Sequence, residues 1–347
     1  MKIAFYAGYQ NPLLSPFEPP IGGTELALQK VSIELSRFGH EIIMTGDVVD
    51  AGLIDGVQWI PTQKFRKTVR DDVDVIISAS YMNFLIEFSK YKNAKKVLWA
   101  HNTDFYDYHR GKKIKNVHNL PQTLDLTICL TEWHKSLWSR NYLVKPEKIS
   151  VIGNGIDETF FLTDVPKVKN QFVWSSASER GLPELLDNWL KIRQILPNAS
   201  LKIFTPSYAM NRIPRIAAKA TSLPEVDLKG SVGQKDLHAE MSRSDFWCYV
   251  SDYEETYCIT ALEMQRAGVV PIVNNKAGLV ESVNAGHKTA GVLESDWAGV
   301  FDFLSTADDD VKDKIRKQNL DWVRNKSWFQ RAHLWNNVLK RVRHESN

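Results

Sequence analysis

Through most of the chain, short apolar runs alternate with stretches of helical periodicity, and that alternation leaves few folds open. Runs at 3–7, 40–45, 57–60, 73–79, 96–100, 124–130 and 149–152 read as strands. The run at 73–79 is rich in β-branched residues, as a strand buried on both faces must be. Helical patterns lie between the runs, first through Leu26, Val31, Ile33 and Leu35 to Phe38-Gly39, then over 82–91 and 133–142. After a polar segment containing Pro166 (158–170) the alternation restarts. Strands are expected at 171–175, 199–204, 226–230, 245–250, 269–274 and 290–293, with helices at 182–196, 213–221, 234–242 and 277–285. Such alternation implies a doubly wound parallel sheet with ligands at the carboxyl ends of its strands. At 347 residues the chain exceeds one ordinary core, so two Rossmann-like α/β domains are expected, residues 1–158 and 159–326. Helical stretches at 294–306, 310–326 and 327–343 close the chain, the last of them amphipathic.

Charge and cysteine usage narrow the class. A net charge of +3 with pI near 8.5 is a mild excess that does not demand nucleic acid. The basic and aromatic stretch 105–119 (Tyr106, Tyr108, His109, Arg110, Lys112, Lys113, Lys115, His118) has no nucleic-acid recognition module beside it. It reads as a surface loop; stacking on an acceptor glycan or touching a membrane, together with Trp133 and Trp138, is the other reading. Cys129, Cys248 and Cys258 are odd in number and widely spaced, so they give neither a disulfide framework nor zinc spacing. No apolar stretch reaches the roughly 18 residues of a membrane span, and residues 1–7 read as a first strand rather than a signal peptide. The expectation is a cytoplasmic protein, peripheral at a membrane if it meets one, and a monomer or weak dimer. Asp72-Val73-Asp74 has the form of a metal-binding D-x-D, but its valine and Val75 belong to an apolar run. Asp74 is therefore expected to begin a strand, Asp308-Asp309-Asp310 to cap a helix, and no metal site is expected.

One stretch stands apart: Tyr253-Glu-Glu-Thr-Tyr-Cys-Ile-Thr-Ala-Leu-Glu-Met-Gln-Arg-Ala-Gly268, set between two apolar runs. Its pattern predicts a helix of about three turns, opened by acidic residues and closed by Gly268. With Glu255 at the entrance and Glu263 two turns in, the carboxylates would stand about 12 Å apart along the axis. The N–H groups of Tyr257, Cys258 and Ile259 would point out of the first turn, where an anion is favoured. One carboxylate for a sugar, amides for a diphosphate and a second carboxylate for a ribose would suit a nucleotide sugar. The plain alternative is a solvated helix whose first turn favours acids. Gly22-Gly23-Thr24-Glu25 poses a similar choice, between a phosphate-cradling glycine loop and a turn before a Thr24-capped helix. His101, ending a strand beside Asn102 and Asp104, is either structural or a ligand contact. His40, His109, His118, His134 and His238 read as surface or packing residues.

Taken together these features resemble one family, the GT-B fold glycosyltransferases, and within it the retaining glycosyltransferase family 4 (glycosyl transferases group 1). The resemblance rests on Gly22-Gly23-Thr24-Glu25, on His101, and on Ile152-Gly153-Asn154-Gly155-Ile156-Asp157, which is similar to the family's PNGID junction. Ser178-Glu179-Arg180-Gly181, Glu255 with Glu263 as an E-x7-E motif, and the closing Ser327-Trp328 complete it. It implies two Rossmann-like domains facing a cleft, the first on the acceptor side and the second binding the donor. Residues 327–347 would form a helix crossing back to the first domain.

The resemblance also implies roles. Glu255, Arg180 and His101 would be catalytic; Gly22, Gly23, Ser178, Glu255, Tyr257, Cys258, Ile259 and Glu263 would bind the donor, with the sugar toward Glu255 and the ribose toward Glu263. No cofactor or metal would be required, and the donor would be a UDP- or GDP-sugar. The acceptor would be a hydroxyl of a glycan, glycolipid or protein-linked sugar, reached with retention of configuration. Two departures stand out. The family's second phosphate-binding cation falls here at Ser175, leaving Lys235 or Arg212 to replace it, and its Glu-Gly-Phe-Gly is here Glu255-Thr256-Tyr257-Cys258. A GT-B-like epimerase or phosphorylase and a non-catalytic nucleotide-sugar-binding protein are the competing classes.

Overall fold

The computed structural model describes residues 1–7, 12–13, 22–48, 51–80, 91–104, 106–107, 112–113 and 123–344. Residues 81–90, where a helix is expected, most of the loop from 10 to 20 and nearly all of 105–119 lie outside that set. The chain divides into two compact units, Met1–Gly155 with Lys326–Asn347, and Ile156–Asn325.

In the first unit the described residues form a nine-stranded sheet around Lys2–Tyr6. Glu41–Val48 pairs parallel on one side and Val75–Ala79 parallel on the other. Val57–Pro61 extends the first side; Lys95–Trp99, Leu126–Cys129 and Ile149–Val151 extend the second, all parallel. Only the short Gly52–Ile54 runs antiparallel. Ile3, Ala4, Phe5, Val75, Ile76 and Ile77 are wholly buried, which is why these strands read as apolar runs rather than as alternation. Asp74 directly precedes its strand, as expected. Its carboxylate accepts from the Lys2 N–H at 2.7 Å and pairs with Arg343 at 3.0 Å, so this aspartate has structural partners.

The helix Trp328–His344 belongs to this unit and packs on the helix Gly23–Arg37. Trp335, fully buried, meets the Trp99 ring edge-on at 4.6 Å, and His333 lies 4.5 Å from the Phe38 ring. The helix Gly23–Arg37 is capped by Gly22 in extended backbone rather than by the Thr24 side chain. At the far end of the chain Asp308 does cap its helix, accepting from the Val311 N–H at 2.9 Å.

The second unit carries a six-stranded, wholly parallel sheet in the order Val226–Leu228, Ser200–Ile203, Gln171–Trp174, Phe246–Tyr249, Val270–Asn274, His287–Thr289. The chain begins in the middle, steps outward twice, then returns to the other side of its first strand. That is the 3-2-1-4-5-6 order of a doubly wound fold. The last strand is His287–Thr289, a few residues ahead of the 290–293 run, because the ladder with Ile272–Asn274 forms there. A short helix, Ser207–Met210, precedes Ile216–Ser222, where a single helix from 213 is expected. Among the described residues no helix is long and apolar enough to cross a membrane.

Candidate active site

In the second unit the strand order reverses between Gln171–Trp174 and Phe246–Tyr249. In open parallel sheets the crevice outside the carboxyl ends at that reversal is where ligands bind. Two segments leave those ends: 175–181, with Arg180, and 250–258, with Glu255.

Gly181 presses them together. Its φ is +112°, and a Cβ there would stand 2.7 Å from Ser251 Cβ and 3.0 Å from the Val250 carbonyl oxygen. Only glycine meets both the left-handed backbone and the close approach. Gly278 fixes the second segment from the other side. Its N–H donates to the Glu255 carbonyl at 2.7 Å, and a Cβ on it would meet the Glu255 and Thr256 carbonyl oxygens at 2.6 and 2.5 Å.

Glu255 is only 4% exposed, so its charge needs partners. Tyr249 donates its hydroxyl to Oε1 at 2.5 Å, and Arg180 Nη1 approaches the same oxygen at 3.1 Å. The Arg180 guanidinium also lies over the Tyr253 ring, 4.6 Å from its centroid, while its buried Nε–H has no partner among the described residues. Burial works against the charge on Arg180. The Glu255 carboxylate, with smaller help from Tyr249 and Tyr253, nonetheless holds the guanidinium above its ordinary pKa. Burial, then Glu255, pushes the Tyr249 phenol and the Cys258 thiol well up, so the phenol stays a donor and the thiol stays protonated.

The helix of this motif departs from its expected form. It runs Ile259–Arg266, eight residues, with Cys258 as its N-cap and no acidic residue in its first turn. Glu255 is held outside it by Arg180, Tyr249 and Gly278, and Tyr257 and Cys258 are buried in the approach. The unsatisfied first-turn amides are therefore those of Cys258, Ile259 and Thr260 rather than Tyr257. Only about 6 Å of helical rise separates Ile259 from Glu263. Glu263 is buried, and its Oε1 lies 3.2 Å from His238 Nε2. His238 thus proves to be a carboxylate partner as well as a packing residue. The sequence signal was there: on the helix Gln234–Arg243 it shares the inward face with Leu237, Met241 and Ser242. Tyr249, the last residue of an apolar strand, gave no such signal.

Ser178 is buried and donates its hydroxyl to the Ala209 carbonyl at 2.6 Å. Arg212 pairs with Glu179 and lies over the Tyr208 ring, while Lys235 is exposed. Gly22, Gly23 and His101 belong to the first unit. Both glycines are exposed at the mouth of their helix. His101 is buried against the Trp99 ring at 4.6 Å, its N–H donating to Ser80 Oγ at 3.2 Å. Burial, with His134 nearby, lowers its pKa to about 3, so the ring is neutral. Among the described residues no group of three or more His, Cys, Asp or Glu side chains gathers as a metal site.

Two family models match the chain in succession, Glycosyltransferase Family 4 over residues 51–160 and Glycosyl transferases group 1 over residues 167–298. Solved structures match over its whole length. A glycosyltransferase from Rickettsia africae ESF-5 is 17% identical with a TM-score of 0.76, covering 99% of both chains. HepE of Anabaena, solved in complex with UDP and glucose, is 16% identical with a TM-score of 0.75, over 98% of this chain and 100% of its own. Sucrose-phosphate synthase from Thermosynechococcus elongatus is 14% identical with a TM-score of 0.77, over 99% and 100%. At such identities the likeness carries the fold. No curated protein matches the sequence. Two parallel-sheet α/β units, matched in turn by these two models, define the chain as a glycosyltransferase of the GT-B type.

Proposed function

We propose that this glycosyltransferase moves a hexose-type sugar from a nucleoside diphosphate sugar to a hydroxyl of a glycan, lipid-linked or protein-linked acceptor, with retention and without a metal. The observation that carries the reading is the Arg180–Glu255 pair at the strand-order reversal of the second unit. Glu255 Oε1 is held by two donors, so Oε2 is oriented to accept from sugar hydroxyls. Arg180 keeps a buried Nε–H without a partner among the described residues, and a phosphate oxygen is the acceptor such a donor lacks. The UDP and glucose bound by HepE favour a UDP-sugar over a GDP-sugar as donor.

In the proposed step the bond from the anomeric carbon to the β-phosphate oxygen breaks. The acceptor oxygen bonds that carbon on the same face, and its proton passes to the departing diphosphate. Charge grows on the β-phosphate, and the protein's part is to meet it with Arg180 and the first-turn amides at Cys258, Ile259 and Thr260. The protonated Cys258 thiol takes no nucleophilic part.

Thermal-shift measurements with UDP-, GDP-, ADP- and dTDP-sugars should show stabilisation by one of them, since a bound ligand raises apparent stability by mass action. With that donor, Arg180→Ala is expected to lose about 3 kcal/mol of transition-state stabilisation, roughly a hundredfold in rate, and Glu255→Ala a comparable amount. Near-normal transfer by both variants would overturn the site assignment.

A further inference from the structure

His238 has no part in the step above, yet its surroundings are those of a built support. The helix Gln234–Arg243 turns it inward to 1% exposure, with the imidazole lying parallel to the Phe161 ring at 4.1 Å and 10°. Its backbone is tied down as well. Ser242 Oγ donates to the His238 carbonyl at 2.7 Å and accepts from the Leu162 N–H at 3.1 Å. Ring plane and backbone are thus both fixed before any ligand arrives.

Glu263, buried on the neighbouring helix, receives one hydrogen bond among the described residues, from His238 Nε2 to Oε1. A buried carboxylate without a donor is costly, and a glutamate side chain carries three torsions that one contact must restrain. Because the carboxylate can only accept, Nε2 bears the ring hydrogen. Nδ1 is then a bare lone pair, buried and without a partner among the described residues. Glu263 Oε2 likewise has no partner among them and remains open to a ligand.

We propose that His238 is a positioning residue for Glu263, donating from Nε2 to Oε1 so that Oε2 is aimed to accept from a ribose hydroxyl of the donor nucleotide. The proposal rests on the reading of this unit as a nucleotide-sugar site, and adds to it the residue that sets its ribose selectivity. Arg180 and Glu255 meet the diphosphate and the sugar; His238 acts only through the second carboxylate. Removing a partner that fixes a ligand-binding side chain weakens binding, by about 10–100-fold where such partners have been removed around metal ligands.

The test compares UDP, GDP and ADP with their 2′,3′-dideoxy counterparts by titration calorimetry, on wild type, His238→Phe, His238→Gln, Glu263→Gln and the His238→Phe/Glu263→Gln double variant. Phenylalanine keeps the stack on Phe161 and removes the donor, whereas glutamine restores a donor. For whichever base binds, wild type is expected to favour the ribose form by about tenfold, the size of one hydrogen bond to a charged group. That preference should vanish in His238→Phe and Glu263→Gln, fall no further in the double variant, and return in His238→Gln. Affinity for the dideoxy form should stay the same throughout. A folded His238→Phe that keeps the preference overturns the proposal, and so does one that loses both forms equally, which is the signature of a merely structural role. Failure of wild type to bind any of the three nucleotides overturns the nucleotide-site reading, and this inference with it.

Discussion

The two units share a sheet architecture and differ in the buried ionisable groups near their strand ends. In the first, the deeply buried polar rings near the strand ends are neutral imidazoles. Burial lowers His101 to about 3 and His134 to about 4, and His134 Nε2 meets the Asn102 carbonyl at 3.0 Å. In the second, three buried carboxylates near strand ends and helices hold partners: Asp245 with Arg316 and Lys312, Glu255 with Arg180, Glu263 with His238. A buried ionisable group either gives up its charge or pairs it. Only the second solution leaves a fixed charge to recognise a charged ligand, which is why the proposed site for an anionic donor is the one built on Arg180 and Glu255.

The most severe way to break the second unit's solution is at Asp245, 1% exposed at the start of Phe246–Tyr249. Its Oδ1 takes Arg316, and its Oδ2 takes the Asn170 N–H at 2.9 Å and Lys312 at 3.5 Å. Asp245→Ala would take the buried carboxylate from Lys312 and Arg316 and leave them their exposed partners Asp309 and Asp313, a loss of about 3 kcal/mol, the low end for breaking a buried pair. Hydrogen exchange should quicken across Phe246–Tyr249 and the helix Asp309–Val323 while strands of the first unit stay protected. Equal loosening of both units would show that they do not answer separately, and the contrast between them would fail.

Most of this fold was legible because strands buried on both faces read as apolar runs and helices as 3.6-residue periods. The Glu255 motif was legible as residue types but not as shape. Periodicity saw acids ahead of a helix and extended the helix to them. What holds Glu255 outside is a set of tertiary contacts with Arg180, Tyr249 and Gly278, from segments up to 75 residues away, and no local window contains them. His238 was missed for a related reason. An isolated histidine on an inward helical face looks like packing until its neighbour, Glu263, is known from the fold.

The contrast also has a pH dependence, in which His101 and His134 of the first unit are joined by the half-buried His287 of the second, lowered by burial as well. His101 and His134 have folded values of about 3 and about 4 against an ordinary 6.5. As pH falls below 6.5 the unfolded chain takes up protons that the folded unit refuses, so stability declines until the folded values are reached. At pH 5 each histidine should have removed about 2 kcal/mol. In the second unit Lys167 is lowered to about 7, chiefly by burial. Its penalty builds as pH falls from 10.5 toward 7 and levels off about a unit below 7, so it adds little to an acid slope. Hydrogen-exchange protection factors, taken relative to intrinsic rates, should therefore fall from pH 7 to 5 in Lys95–Trp99 and Leu126–Cys129, and His134→Gln should flatten that slope. An unchanged slope in that variant would remove His134 from the account.

The finest test asks what holds Glu255 in place: the charge of Arg180 or the hydroxyl of Tyr249. Both reach Oε1, Tyr249 more closely. Tyr249 is fully buried and stacked on Trp174 at 5.3 Å, so phenylalanine should keep the ring in position and remove only the O–H. One hydrogen bond to a charged acceptor is worth about 1.5 kcal/mol at the low end, or roughly tenfold in transfer. Tyr249→Phe should thus be a milder lesion than Arg180→Ala, with the loss falling in kcat more than in the affinity for nucleoside diphosphate, since the hydroxyl donates to the carboxylate proposed to hold the sugar. Should Tyr249→Phe prove as damaging as Arg180→Ala, the hydroxyl and not the ion pair orients Glu255. Glu255 would then be held, like the histidines of the first unit, by a neutral partner, and of the three carboxylates Asp245 would be the one that relies on cations.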